Sequence, residues 1–299
     1  MVEWWVEYEG KFPGAGIFFP ESDWLSLNSI NGHKLMTYRF HIENPLALIF
    51  SFHGMYSESN ESAHVCKRFF QEGYTVLAFD QEGHGRSHGK KGKIKNLKNY
   101  LQDSIKFIRK AKKRYPAVPI YIFGLSMGGT ICTMLALSVP ELINGMILLA
   151  PGLGVAPDFE PFLRKLVRCL NICCGCLKLK EFDGSLSNRN PHYIRYFKEN
   201  PYNYSGRMDV GTAYSMLTGL ENLQTICTEV STPLLVIQGT ADKVVDAEMI
   251  KGFVKNCKST DKEILLYEGM YHDVYHEAEI EEIIEKMVEW VNLRLNVLG

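Results

Sequence analysis

"YIFGLSMGGTICTML", residues 121–135, is the stretch on which the fold turns. Strand-formers run up to Gly124, Ser126 stands between Leu125 and Met127, and Gly128 and Gly129 open a stretch of helical composition. A G-x-S-x-G pattern alone is weak, so its weight depends on context. Here the context is strand, tight turn and helix, the arrangement that lifts a serine hydroxyl clear of a sheet. Gly124 and Gly128 let neighbouring backbones pass without a Cβ in the way. A helix starting at the serine also aims its free N–H groups at any oxyanion formed there.

Working outward, short apolar runs alternate with longer helical patterns. "LALIFSFHG" (46–54), "YTVLAFD" (74–80), "PIYIFG" (119–124), "GMILLAPG" (145–152), "PLLVIQG" (233–239) and "EILLYEG" (263–269) each predict a buried strand ending in a turn. Their near-continuous apolar character fits a mostly parallel sheet with helices on both faces. In "NLKNYLQDSIKFIRKAKKRYP" (96–116), Leu97, Leu101, Ile105, Ile108 and Ala111 share a stripe, and bases crowd the C-terminal end, where the helix dipole favours them. Ile280, Ile283, Ile284, Met287, Val288 and Val291 repeat at helical spacing in a closing helix, and Asn31-Gly32 marks a hairpin turn leading into the sheet. The alternation breaks once. From 153 to 226 there is no convincing buried strand, so residues 1–152 and 227–299 predict a core and 153–226 an inserted helical cap.

The chain has 299 residues, 46 % of them hydrophobic and 22 % charged, which suits one large globular domain or a core with an insert. A formal net charge of −1 argues against nucleic acid as an obligatory partner, since phosphate binding leaves a basic excess. "MVEWWVEYEG" (1–10) is acidic and unlike a secretory signal, and no clean apolar stretch is long enough to span a bilayer, so the expected location is cytoplasmic. The eight cysteines are then expected to stay reduced. Cys169, Cys173, Cys174 and Cys176 lie close together. Plain thiols filling apolar space, lipidation and redox chemistry all fit them, whereas His192 is too remote to complete a zinc knuckle. The run Lys90, Lys91, Lys93, Lys95 and Lys98 reads as a solvated face, with anionic lipid as the rival partner.

A serine hydroxyl attacks only when a base takes its proton, and that base needs an orienting carboxylate. On a turn of this kind the acid and the base follow the serine in that order, each past a later strand. "PLLVIQGTADKVVD" supplies Asp242 and "EILLYEGMYHDVYHE" supplies His272. Asp246 is the rival acid, but Asp242 stands nearer the strand end, where position is best fixed. His272 and His276 form an H-x3-H pair with Asp273 between them, a faint zinc pattern without an obvious third ligand; His276 reads instead as an ordinary polar residue beginning the final helix. An oxyanion hole needs two donors. The N–H of Met127 is one, and the N–H of Met55, after the strand ending His53-Gly54, is the other. His53 reads as structural, and Asp80 and His84 in "DQEGHGRSHG" (80–89) as architectural.

With the serine turn, the His-Gly loop, "DQEGHGRS", "GTAD" and "YHDVYHE" present in order, the chain resembles an α/β-hydrolase, and more narrowly the monoacylglycerol lipase group of serine hydrolases. The resemblance covers about residues 25–292, including "SLSNRNPHYIRYFKENPYNYSG" (185–206), which is similar to that group's "SRN…DP" segment. It implies a Ser126–His272–Asp242 triad, an oxyanion hole at Met55 and Met127, and hydrolysis of single-chain acyl esters, monoacylglycerol first, without a cofactor. A lysophospholipase, a general carboxylesterase and a non-catalytic hydrolase-like binding protein are the alternatives. The chain departs from the group at "HGMYSESN" (53–60): Tyr56 stands where a further glycine is usual and Ser57 where an acid is expected, with Glu58 one place later. In "PFLRKLVRCLNICCGCL" (161–177), Phe162, Leu163, Leu166, Val167, Leu170 and Cys173 oppose Arg164, Lys165 and Arg168. Such a helix either dips into a lipid surface or buries its apolar face on the core. Oligomeric state leaves no signal.

Overall fold

Successive residues of a strand point to opposite faces, so an uninterrupted apolar run needs a core on each side of its sheet. The computed structural model, which describes residues 6–20, 26–155, 161–179, 181 and 183–298, provides both. Residues 1–5, half of the stretch read against a secretory signal, and 156–160 at the start of the expected cap lie outside the described residues. Among the described residues nine strands form: β1 Leu27–Asn28, β2 Lys34–Leu35, β3 Thr37–Phe40, β4 Leu48–Phe52, β5 Thr75–Phe79, β6 Ile120–Leu125, β7 Gly145–Leu149, β8 Leu234–Gly239 and β9 Lys262–Tyr267. β1 and β2 pair with each other, and the Asn31-Gly32 hairpin is thus a small sheet of its own. The remaining seven run in the order β3-β5-β4-β6-β7-β8-β9, parallel except for β3.

The helices are α1 Ala63–Gln71, α2 Leu97–Arg114, α3 Met127–Ser138, α4 Pro161–Cys174, α5 Pro191–Glu199, α6 Val210–Ile226, α7 Ala247–Asn256 and α8 Ile280–Leu298. Ile122, Leu148 and Val236 join the core that includes Phe107 of α2 and Ile131 of α3. Phe123, Ile147 and Ile237 join the opposite core, with Phe69 of α1 and Met287 of α8. Every apolar run forms a strand, with one correction. "EILLYEG" was expected to be buried, yet β9 lies at the edge of the sheet, partly open to solvent along its length, with Leu266 43 % exposed. The α2 stripe is also rotated: Tyr100 and Phe107 are fully buried, and Leu101 and Ile105 only partly.

β4 lies between β5 and β6, so the chain moves outward from it in both directions. Open parallel sheets form ligand crevices at such a reversal, beyond the carboxyl ends of their strands. α4, α5 and α6 lie between β7 and β8, and among the described residues of that interval the only β-pairing is the isolated bridge of Lys178 with Asp209.

Candidate active site

Ser126 follows β6 directly and caps α3 with φ 55° and ψ −113°, a left-handed backbone that a non-glycine residue adopts at a cost of order 1–3 kcal/mol. The strain is enforced by close packing. A Cβ on Gly128 would lie 1.9 Å from the Phe52 carbonyl oxygen, and one on Gly124 would lie 2.5 Å from the Gly128 backbone. Helix α3 can therefore cross the sheet end only with glycine at both places. Its first helical bond runs from the Thr130 N–H to the Ser126 carbonyl at 3.0 Å, which leaves the Met127 amide ahead of the helical ladder.

Ser126 and His272 line one cavity of about 150 Å³, which Met55 and Leu125 also line. Behind His272, its Nδ1 lies 2.8 Å from Asp242 Oδ2. Asp242 also accepts from the Val244 and Val245 amides at 2.8 and 2.9 Å and from Gln238 at 3.0 Å. Burial pushes this carboxyl up, but the His272 bond and the two amides outweigh it and hold Asp242 below the ordinary Asp range. Asp246, the rival, caps α7 by accepting from the Glu248 and Met249 amides. It is occupied with a helix end.

The His-Gly loop reaches the same cavity. Gly54 passes so close to the serine turn that a Cβ on it would lie 3.6 Å from the Leu125 oxygen and 3.9 Å from Ser126 Cβ. His53 is fully buried, its Nδ1 on the Gly54 carbonyl at 2.8 Å and its Nε2 accepting from the Gln81 amide at 2.9 Å, so it ties two loops together as expected. Asp80 accepts from the Ser59 and Arg86 amides and from the Tyr38 hydroxyl, and His84, pushed down by burial to about 3, sits neutral between Tyr56 and Tyr100. Both are architectural.

Tyr56, at the position where a glycine is usual, keeps a glycine-like backbone with φ 66°. Its ring packs on Tyr204 at 4.9 Å, and its carbonyl accepts from the Tyr204 amide at 2.8 Å. Glu58, one place after the expected acid, is buried and held by Asn60 and Asn200, with its carboxyl raised to about 8 by burial and by Asp80 and Glu61. It does not line the cavity. Glu61, three residues on, does: its carboxylate accepts from Asn203 at 2.7 Å and Tyr193 at 3.3 Å and faces His276 Nε2 at 3.4 Å.

His276 needs a correction. It is not an ordinary residue beginning the last helix but a fully buried one in a 3-10 turn, stacked on Tyr193 at 3.9 Å and bonded through Nδ1 to Asp273 at 3.0 Å. Burial alone would push the imidazole down, yet Asp273 and Glu61 outweigh it and raise it. His272 and His276 thus serve separate carboxylates and share no ligand position. The sequence reading missed Glu61, Asp273 and Tyr193 as cavity residues. Glu61 and Asp273 owe their place in the cavity to Tyr193 and Asn203, distant in the chain, and leave no local signal.

Of the expected apolar stripe of α4, Phe162, Leu163, Leu166 and Cys173 are turned outward, whereas Val167 and Leu170 are half-buried. No residue of this helix is buried; Phe162 is 69 % and Ile172 87 % exposed, while Arg164 and Arg168 pair with Glu221 of α6. No helix among the described residues is long and apolar enough to cross a membrane.

Comparison with known proteins agrees with the geometry. The monoglyceride lipase of Mus musculus is 28 % identical over 232 residues, covering 76 % of each chain. Phospholipase YtpA of Bacillus subtilis is 26 % identical over 234 residues, covering 77 % of this chain and 89 % of its own. The crystal structure of a monoacylglycerol lipase from Paleococcus ferrophilus superposes with a TM-score of 0.77 at 25 % identity, covering 87 % of this chain and 99 % of that one. The family model described as serine aminopeptidase, S33, matches residues 43–279, and the chain, with its serine turn, histidine loop and mostly parallel sheet, belongs to that family of α/β-hydrolase-fold serine hydrolases.

Proposed function

We propose that the chain hydrolyses the ester bond of single-chain acyl esters, foremost monoacylglycerol, releasing a fatty acid and glycerol. The observation that carries this reading is the shared cavity of Ser126 and His272, with Asp242 bonded behind the imidazole at 2.8 Å. His272 takes the Ser126 proton as the oxygen attacks the ester carbonyl, and Asp242 holds the imidazole in the required tautomer. The Met55 and Met127 amides stabilise the tetrahedral oxyanion. His272 returns its proton to the leaving alcohol, and water repeats the sequence on the acyl-enzyme. The α4–α6 insert acts as the cap, and the outward apolar face of α4 rests on the lipid surface that supplies the substrate.

The charge of the cavity favours glycerol over a phosphate-bearing head group. Glu61, Asp273 and Glu181 bring three carboxyls to its lining against the ammonium of Lys198, with His276 set behind the cavity between the first two. Hydroxyls can donate to carboxylates, whereas a phosphodiester would meet them as a like charge. The similarity to a phospholipase keeps lysophospholipid as the second reading.

A fluorophosphonate probe is expected to label the native chain and not Ser126→Ala; an unlabelled native protein overturns the enzyme reading. Matched assays on monoacylglycerol and lysophosphatidylcholine are expected to favour the glycerol ester, and a clear choline-ester preference reverses the head-group assignment.

A further inference from the structure

We propose that the cap is a site of S-acylation, with Cys169, Cys173, Cys174 and Cys176 as the acceptor thiols for long-chain fatty acyl groups. This goes beyond hydrolysis and rests on the proposal that α4 meets a lipid surface.

The eight cysteines divide sharply by environment. Cys66, Cys132, Cys227 and Cys257 are buried, and the four between 169 and 176 are all exposed free thiols. The filling of apolar space, which would account for a buried cysteine, therefore does not account for these four. Their neighbours are apolar as well. Phe162, Leu166, Cys169 and Cys173 recur at helical spacing on one outward stripe, flanked by Leu163 and Ile172 and continued past the helix end by Leu177, which is 50 % exposed.

The orientation of that stripe is fixed from behind. Arg164 and Arg168 bind Glu221, and Val167 and Leu170 are half-buried on the side towards α6. Past the helix, the Gly211 amide bonds the Gly175 carbonyl and the Val210 amide the Leu177 carbonyl, both at 2.9 Å, so the turn carrying Cys176 is pinned to the start of α6. These contacts keep the thiol face pointing away from the protein.

Charge identifies what that face meets. Arg164 and Arg168 are spent on Glu221 on the α6 side, so the positive charge beside the thiols is that of the exposed Lys165 and Lys178, and no acidic residue lies between 161 and 180. A basic, apolar, cysteine-bearing helix complements an anionic lipid surface. Thiols held there lie at the depth where membrane-bound acyl donors are transferred, and cysteines on amphipathic helices are acceptors of this kind. One apolar helix face gives only reversible contact; an attached acyl chain supplies the second anchor.

The chemistry needs no oxidant. A cysteine thiolate attacks the thioester carbonyl of a fatty acyl-coenzyme A, the new carbon–sulfur bond forms as the old one breaks, and coenzyme A leaves as its thiol with the cysteine proton.

The test is metabolic labelling of the full chain with alkynyl palmitate in eukaryotic cells, read with and without neutral hydroxylamine, which cleaves thioesters. Native protein and Ser126→Ala are expected to carry equal hydroxylamine-sensitive label, which excludes acyl-enzyme at the serine as its source. The quadruple variant C169S/C173S/C174S/C176S is expected to lose at least tenfold of the label and to move from the membrane to the soluble fraction, while fluorophosphonate labelling of Ser126 stays at the native rate and reports an intact fold. Undiminished label in the quadruple variant, absence of thioester label on the native chain, or disulfides among these four thiols in place of acyl groups would each overturn the proposal. Failure of fluorophosphonate labelling alone would strike the hydrolase reading and leave this one standing.

Discussion

At the scale of single residues, the proposed triad acid and the backbone clearances give the sharpest tests. Asp242→Asn should preserve the fold and lower kcat about 10⁴-fold, because the amide favours the wrong imidazole tautomer; steady-state ester hydrolysis measures it. Gly128→Ala drives a methyl to within 1.9 Å of the Phe52 carbonyl oxygen, backbone that cannot move aside. We expect a loss of about 1–3 kcal/mol, seen as a lower Tm. The buried ionisable residues set the pH dependence of stability. Glu58 titrates near 8 in the folded chain, above its unfolded value, so the stability associated with its neutral form is present at low pH and declines as pH rises from the unfolded value towards about 8. His276 is raised too, so its contribution is present below its unfolded pKa of about 6.5 and is lost as pH rises through the folded value. Both act in the same direction. The buried neutral His64 and His84, pushed down to about 3, act the opposite way below their unfolded pKa of about 6.5, so the fall should be read between pH 6.5 and pH 8 by denaturant unfolding, and Glu58→Gln should make it smaller.

What could be read from sequence at this scale followed from chain order. Asp242 and His272 could be proposed as partners because each stands just past a strand whose apolar run is unmistakable, and the structure places them in hydrogen-bond contact at 2.8 Å. Glu61 and His276 were not, because their surroundings are assembled by Tyr193, Asn200 and Asn203, well over a hundred residues from Glu61 in the chain. No local pattern encodes a neighbour that distant.

At the scale of elements, periodicity shows that α4 is amphipathic but not which way it faces. The apolar stripe would look the same buried or bare; what decides is Glu221 on α6, which draws Arg164 and Arg168 inward. Ile172→Glu, at a side chain 87 % exposed, should leave stability within about 0.5 kcal/mol of native and reduce flotation with anionic liposomes. Unchanged flotation would remove the lipid contact proposed for this helix. Strand β9 teaches the same lesson from the other side. Its residues resemble those of the inner strands, and only its place at the end of the sheet order opens it to solvent.

At the scale of the whole molecule, the segment from α4 to α6 is joined to the rest of the fold through polar side chains as well as apolar packing. Asn200 and Asn203 reach from the segment after α5 to Glu58 and Glu61, and Lys93 reaches Asp209 at the start of α6 at 2.8 Å. Lys91 and Lys95 of the same basic run find nearer partners, the Gly85 carbonyl at 2.8 Å and Glu82 at 3.7 Å. Asn203→Leu would leave Glu61 without its shortest donor; it should cost about 1–3 kcal/mol and speed limited proteolysis between 200 and 210.

The Tyr204 amide bonds the Tyr56 carbonyl, one residue from the amide proposed to hold the oxyanion. If segment 200–206 lifts, that bond breaks or the turn at 54–57 moves with it. With Met55 in that role, the gate and the anvil are one piece of backbone. On those proposed roles, any displacement of segment 200–206 is felt at the oxyanion donor, so covering the serine and positioning its catalytic amide would be a single event.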